Sequence, residues 1–327
     1  MQITYFHRKP GPRNFSLERV FADVRTHLPA NIRAVVAQCP RESKGVFNRI
    51  INILWAWRHQ GEINHITGDV HYLTYLLQKK RTVLTIADCV SLERSRGLKH
   101  FLLWLFWYWL PERRCSKITV ISEFTKRNLL DHLRCDPQKI EVVHCPIPEG
   151  FAPSPKPFNP ACPVILQVGT VWNKNLERVA QALQGIPCRL DIVGPLRDDQ
   201  KRILEENGIV YVNHVGVTDE ELLALYEACD LVVFASLYEG FGLPIIEAQA
   251  TGRPVITSNR CSMPEVAAGA ACLVDPESVE SIRLGILKII QDAAYREELA
   301  RKGIENVKRF APEKIAAQYA ELYRSML

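Results

Sequence analysis

The stretch LVVFASLYEGFGLPIIEAQATGRPVIT, residues 231–257, decides the fold. Leu231–Phe234 and Val255–Thr257 are short β-rich runs and read as strands. Between them a loop carrying Gly240 and Gly242 leads into a helical run. A strand, a glycine-bearing turn, a helix and a second strand make a βαβ unit, which builds parallel sheets.

The same alternation extends in both directions. In the second half Val164–Val168, Arg189–Val193, Val210–Asn213 and Ala271–Val274 also read as strands, and Leu176–Leu183 reads as a helix after an Asn175 cap. In the first half Ile3–Phe6, Ile32–Ala37, Ile63–Thr67, Val83–Ile86, Ile118–Ile121 and Ile140–Val143 read as strands. Leu17, Val20, Phe21, Val24 and Leu28 give a helical period after Ser16, a plausible N-cap residue type. Seven prolines between Pro146 and Pro163 interrupt the pattern. No packed helix or central strand survives that density, so an interdomain linker is placed at 151–163. The expectation is an α/β protein of two Rossmann-like domains facing across a cleft. One covers residues 1–150 and the other 164–311, and an amphipathic helix at 312–327 packs back on the first. Ligands of such folds bind beyond the carboxyl ends of the strands.

The loop inside the opening stretch carries the chemistry. Gly240 and Gly242 free backbone N–H groups at a helix N-terminus, an anion site suited to phosphate. Glu239 and Glu247 bracket it. Carboxylates there make sense if hydroxyls flank the phosphate, because a carboxylate accepts hydrogen bonds from a vicinal diol. A second glycine, Gly169, permits a tight turn after Val164–Val168, and Lys174 follows at a helix start. A cation at the positive end of a helix is unfavourable unless an anion joins it.

The 327 residues make a 37.2 kDa chain with 47% hydrophobic and 24% charged residues, a soluble globular composition that excludes disorder, collagen and coiled coil. Residues 1–150 hold 23 Lys and Arg against 13 Asp and Glu, a net +10; the remainder is at −5. The basic half could face an anionic surface, a membrane leaflet or a phosphorylated acceptor. Ten scattered cysteines without metal spacing read as reduced and mostly buried, in a cytoplasmic protein. No signal peptide is read at Met1–Phe6, which leads straight into His7-Arg8-Lys9. Phe101–Leu110 (FLLWLFWYWL) is too short to span a bilayer, which takes roughly 20 residues. It reads first as a buried helix of the first domain, and second as a membrane-interface segment between basic flanks.

With these motifs in hand the chain resembles the retaining glycosyltransferases of family four, of GT-B fold. Glu239 to Glu247 matches their E-x7-E signature. Ile118-Thr-Val-Ile-Ser-Glu-Phe-Thr-Lys126 is similar to the end of their first domain. Val168–Leu176 is similar to their donor-phosphate loop, and Gly252-Arg-Pro-Val-Ile256 with Met263-Pro-Glu-Val266 to the strand and helix that follow. The resemblance implies a nucleotide-sugar donor, UDP- or GDP-linked, held as substrate by the second domain, with no other cofactor. Glu247 would hold the ribose hydroxyls. The backbone of Gly240, Phe241, Gly242 and Leu243 would meet sugar and diphosphate, with Gly169 and Asn173 in the facing loop and Val217 near the base. Glu239 would contact the sugar near the reacting carbon, and Lys174 would neutralise the leaving diphosphate in place of a metal. No metal site is expected; Asp198-Asp199 reads as a solvated cap.

The first domain would hold a glycan or lipid-linked acceptor, with peripheral contact at the inner face of a membrane. Its basic first loop, His7 to Arg13, suits an anionic acceptor, and Gly11 in it allows close approach of the chain to the donor. Asp69, His71 and Asp88 are the candidates there for proton handling or sugar contact. Relatives read Thr-Ile-His-Asp where this chain reads Thr85-Ile86-Ala87-Asp88, and alanine cannot make the histidine's contact to the donor sugar. The alternatives are therefore a hexosyltransferase acting in surface polysaccharide or glycolipid assembly and a catalytically impaired relative that binds sugar nucleotides. A nucleotide-sugar epimerase is a third reading, which an assay without acceptor separates. A nicotinamide dehydrogenase, a P-loop kinase and a nucleic-acid binder are disfavoured, because the G-x-G-x-x-G and Walker patterns and any recognisable nucleic-acid module are absent.

Overall fold

The computed structural model describes residues 1–9 and 16–327 and divides into two compact units, Met1–Pro148 with Ala311–Leu327, and Glu149–Phe310. Each is a parallel six-stranded sheet flanked by helices, the α/β fold class expected, with two Rossmann-like domains.

The first unit holds β1 (Gln2–His7), β2 (Arg33–Gln38), β3 (Ile63–Thr67), β4 (Thr82–Ile86), β5 (Lys117–Val120) and β6 (Ile140–Val142), in the order β2-β1-β3-β4-β5-β6. Its helices are α1 (Ser16–Thr26), α2 (Val46–Arg58), α3 (Val90–Arg94), α4 (Gly97–Leu103), a π-helical turn at Trp104–Trp109, α5 (Leu110–Arg113) and α6 (Glu123–His132). The second unit holds β7 (Val164–Val168), β8 (Arg189–Val193), β9 (Tyr211–His214), β10 (Leu231–Phe234), β11 (Val255–Ser258) and β12 (Cys272–Val274), in the order β12-β11-β10-β7-β8-β9. Its helices are α7 (Leu176–Leu183), α8 (Asp198–Glu206), α9 (Asp219–Ala228), α10 (Leu243–Ala250), α11 (Met263–Ala267), α12 (Val279–Gln291) and α13 (Ala293–Asn306). The chain then returns to the first unit as α14 (Pro312–Arg324).

Polar side chains join α14 to the first sheet. Tyr323 Oη lies 2.9 Å from Tyr5 Oη and 2.6 Å from His65 Nδ1. His65 Nε2 reaches Thr85 Oγ1 at 2.7 Å, and Thr85 reaches Thr119 at 2.7 Å. Buried polar groups need partners, and Tyr323 supplies one to both Tyr5 and His65, so this network fixes where α14 sits as well as holding it. Phe21 of α1 packs on Tyr319 at 5.6 Å between ring centres.

Several local expectations are corrected. The division falls after Pro148, and the proline-rich segment 151–163 lies along the second unit. Asp230 accepts hydrogen bonds from Lys156 and from the backbone N–H groups of Asn159 and Val164, and Phe158 packs against the second core. Proline forbids helix and central strand there, but an extended chain can still be pinned by side chains. Asn175 takes the N-cap position of α7 but its side chain does not cap the helix: it is buried, at φ 60°, and its amide donates to the carbonyls of Ala235 and Pro276. Asp198 and Asp199 lie inside the first turn of α8, after Arg197, which pairs with Asp199. Phe101–Leu110 is not a buried helix. Tyr108 faces the core, whereas Phe101, Leu102 and Phe106 stand in solvent. An unbroken apolar run on a helix points to every side, and one neighbouring surface covers only part of it.

Burial holds two histidines neutral. His7 is depressed to about 4 by burial first and by Arg25 next, and His65 to about 3 by burial first. The unfolded chain takes up protons on both near pH 6.5 and the folded chain only well below, so stability is complete above about 6.5 and falls on acidification towards 4. Urea unfolding at pH 7.5 and pH 5 is expected to show that loss, at up to ~1.4 kcal/mol per pH unit for each histidine. A His7→Asn variant should show a shallower slope.

Candidate functional site

In the second unit β7 lies beside β10, although β8 and β9 come between them in sequence. From β7 the chain winds outward one way to β9 and then starts again on the other side at β10. That reversal leaves a crevice at the carboxyl ends of the two central strands. Its walls are the loops 169–175 and 235–242.

Lys174 and Glu239 meet there. Lys174 Nζ lies 2.7 Å from Glu239 Oε1 and 4.5 Å from the centre of the Phe234 ring. Asn173 joins the two loops: its side-chain amide donates to the Tyr238 carbonyl at 2.9 Å and to Glu239 Oε1 at 3.1 Å. Its own carbonyl accepts from Leu237 N–H at 2.8 Å. Gly169 has φ +94°, and a Cβ there would stand 2.9 Å from the Lys174 side chain. The lysine's path over the loop therefore needs glycine both for backbone and for space.

The loop Gly240–Gly242 is held from behind. Ser262 Oγ donates to the carbonyls of Glu239 (2.9 Å) and Phe241 (2.7 Å), and the Phe241 ring is buried edge-on against Phe310 at 5.6 Å. Gly242, at φ +113°, starts α10, with Pro244 in the first turn. Leu243 is half-buried. Glu247, one turn on, is only 4% exposed, and Tyr226 Oη of α9 donates to its Oε2 at 2.7 Å. Val217 lies in the exposed turn after β9, where Gly216 has φ +72° and Thr218 caps α9. The crevice thus joins a cation, a helix N-terminus and two carboxylates, a set that accommodates an anionic group carrying hydroxyls.

The first unit has its own reversal between β1 and β3. Asp69 and His71 follow β3, and Asp88 follows β4. His71 is buried, and its Nδ1–H donates to the Trp107 carbonyl at 2.7 Å, which leaves Nε2 as an acceptor. Burial pulls its pKa down; Asp69 chiefly, then the Trp107 hydrogen bond and Asp88, oppose this, so the charges of both carboxylates reach the ring. Asp69 itself is exposed and accepts from Trp107 Nε1 at 2.6 Å. Ala87 adjoins Asp88, and its carbonyl accepts from Thr125 Oγ1 at 3.3 Å.

The basic first loop is less cationic than its sequence. His7 is neutral, accepting at Nε2 from Arg25 at 3.0 Å, and Arg8 forms a two-point pair with Glu18 at 2.6 and 3.1 Å. Gly11 and the rest of that loop lie outside the described residues. Among the described residues no group of three or more His, Cys, Asp or Glu could hold a metal ion. Sequence reasoning does not single out Tyr226, Ser262 or Trp107. Ser262 had a usable signal, a serine directly before the helix start Met263-Pro264; Tyr226 and Trp107 had none close in sequence.

Two doubly wound parallel sheets define a protein of the GT-B class. Residues 10–150 match the model of the glycosyltransferase family 4 domain, and residues 152–308 match that of the glycosyl transferases group 1. The chain belongs to this family of glycosyltransferases. It is 36% identical over 171 residues to O-antigen chain mannosyltransferase B of Escherichia coli, across 49% of this chain and 45% of that protein. It is 26% identical over 252 residues to the MMP alpha-(1->4)-mannosyltransferase of Mycolicibacterium hassiacum, across 68% of this chain and 58% of that protein. The matched stretch thus spans less than two thirds of either relative. In fold it is similar to WaaG, a glycosyltransferase involved in lipopolysaccharide biosynthesis, with TM-score 0.74, 16% identity and coverage of 98% and 99% of the two chains. It is equally similar to Anabaena Alr3699/HepE in complex with UDP and glucose, with TM-score 0.75, 16% identity and coverage of 99% and 100%.

Gly169 and Gly185 both have positive φ, but a Cβ at Gly185 would meet nothing within 4 Å. Alanine at either should cost about 1 kcal/mol in backbone strain. At 169 the clash with Lys174 should add to that, seen as a larger drop in melting temperature than Gly185→Ala gives.

Proposed function

We propose that the chain transfers a hexosyl group from a UDP- or GDP-linked sugar to a glycan or lipid-linked acceptor with retention of configuration, in surface polysaccharide or glycolipid assembly. The mannosyltransferases among its relatives favour mannose. The observation that carries this is the Lys174–Glu239 pair between the Gly169 and Gly240–Gly242 loops, with Glu247 buried a turn further on.

In this reading the donor diphosphate takes the place beside Lys174 that the Glu239 carboxylate now occupies, and the α10 N-terminus meets it from the other side. Glu239, displaced from the lysine, turns to the sugar hydroxyls. Glu247, oriented by Tyr226, accepts from the ribose. The C–O bond to the diphosphate breaks through an oxocarbenium-like state, with Lys174 carrying the developing charge in place of a metal. The leaving phosphate oxygen takes the acceptor's proton as the acceptor oxygen attacks from the same face. Neutral His71, with Asp69 and Asp88, belongs to the acceptor side. The enzyme works on the cytoplasmic side, in peripheral contact with a membrane.

Ala87 favours a second reading, a sugar-nucleotide binder with impaired turnover. Melting the protein with UDP, GDP, ADP and CMP in turn tests the donor site: the matching diphosphate at 100 times its Kd should stabilise by about 2.7 kcal/mol. Glu247→Ala should abolish that gain. Lys174→Ala should lower kcat on the order of 10²–10³-fold with less effect on donor KM. Transfer by the parent chain removes the second reading; transfer only after Ala87→His establishes it. No stabilisation by any nucleotide overturns the donor assignment.

A further inference from the structure

Nine of the nineteen exposed large apolar side chains among the described residues lie on α2, α4 and the π-helical turn after α4. On α2 they are Val46, Phe47, Ile50, Leu54 and Trp57. At about 100° per residue these fall within one arc of ~100°, turned away from the buried Asn52 and Ala56. Leu98, Phe101 and Leu102 repeat at i, i+3 and i+4 on α4, and Phe106 follows. Scattered apolar side chains need no explanation, but a continuous face of this kind does.

The two helices border a groove of about 990 Å³. Ile50, Ile53, Leu98, Leu102 and Phe106 line it. Its polar end holds Arg49, stacked on the Trp107 ring at 4.4 Å, together with Asp69 and Lys99. Phe47, Leu54, Trp57 and Phe101 do not line the groove, but stand beyond it as an apolar ridge. Cations flank both sides: residues 41–58 carry four Lys and Arg against one carboxylate, and residues 93–99 carry three against one. No helix among the described residues is long and apolar enough to cross a membrane, so this face can lie only on the surface of one.

We propose that the α2 and α4 face docks on a leaflet rich in anionic lipid, with the ridge inserted among the acyl chains and one lipid hydrocarbon chain seated in the groove. The charge pattern selects this occupant. A ridge of Phe, Trp and Leu enters the boundary between head groups and chains, while flanking Lys and Arg stay at the phosphates. The π-helical turn serves the same end, because its wider backbone spreads Trp104 to Trp109 around the helix and keeps Phe106 outward while Tyr108 stays inside. This deepens the membrane contact of the proposed function, yet docking needs no sugar donor, so either can fail while the other stands.

Flotation of the whole chain with vesicles tests it. The protein should rise with equimolar phosphatidylglycerol and phosphatidylcholine, not with phosphatidylcholine alone, and less as salt is raised. The double variant Phe47→Ser, Leu98→Ser should weaken flotation by about tenfold or more, because each side chain exchanges chain contact for water. Both sites are more than 70% exposed, so its melting temperature should match the parent's. Bromines placed mid-chain in the lipid should quench the parent's fluorescence more than that of a Trp107→Phe variant, which marks a chain in the groove. Three results would overturn the proposal: no flotation with anionic vesicles by folded protein, equal flotation of the double variant, or a concentration-dependent dimer that the double variant abolishes.

Discussion

Lys174 and Glu239 hold each other across two loops that leave neighbouring strands, and the second unit's crevice is organised around that pair. Each side chain is less than a fifth exposed. A lone charge at that depth would be costly, so each loop's shape serves the partner on the other. Asn173 closes the gap between the loops, Ser262 holds the Glu239 carbonyl from behind, and Gly169 leaves room for the lysine's methylenes. The pair is possible only because β7 and β10 are adjacent, which the doubly wound order dictates. An anion entering the crevice competes with Glu239 for a cation already in place, so most of the ordering of Lys174 precedes binding.

The first unit meets burial differently. Its carboxyl edge carries histidines kept neutral by desolvation, His7 against Arg25 and His71 against the Trp107 carbonyl. Arginine donates to His7, and a protonated ring could not accept from it, so the hydrogen bond and the low pKa express one fact. Behind that edge the Tyr323, His65 and Thr85 chain ties the last helix to the first sheet.

The strands were legible because each is a compact β-rich run bounded by turn chemistry, and every run read as a strand lies in one, within a residue or so at the ends. The site loops were legible for a related reason: Gly169 and Gly242 follow strands and take positive φ, which glycine alone adopts freely. What could not be read depends on contacts distant in sequence. Tyr226 reaches Glu247 from 21 residues away, and Asn175 is claimed by carbonyls 60 and 101 residues on. Local capping rules assign asparagine to its own helix, and here tertiary carbonyls win. Hydropathy marked Phe101–Leu110 as apolar but carried no record of what covers it.

Net charge by halves illustrates the same limit of local reading, and also where it helps. The acidic second half places a lysine in its crevice, so the sign of a domain says nothing of the sign at its site. In the basic first half many cations are already spent inside the fold: Arg8 on Glu18, Lys117 on Glu141, Lys139 on Glu112, and Arg25 on His7. The segments 41–58 and 93–99 carry half of the net charge of this half, +3 and +2, and they are the segments that expose the apolar ridge. Basic and apolar residues on one face are poorly matched to water and to a protein core alike. They match a boundary where phosphates lie above hydrocarbon, and that coincidence, rather than the total of +10, is what the proposed docking rests on.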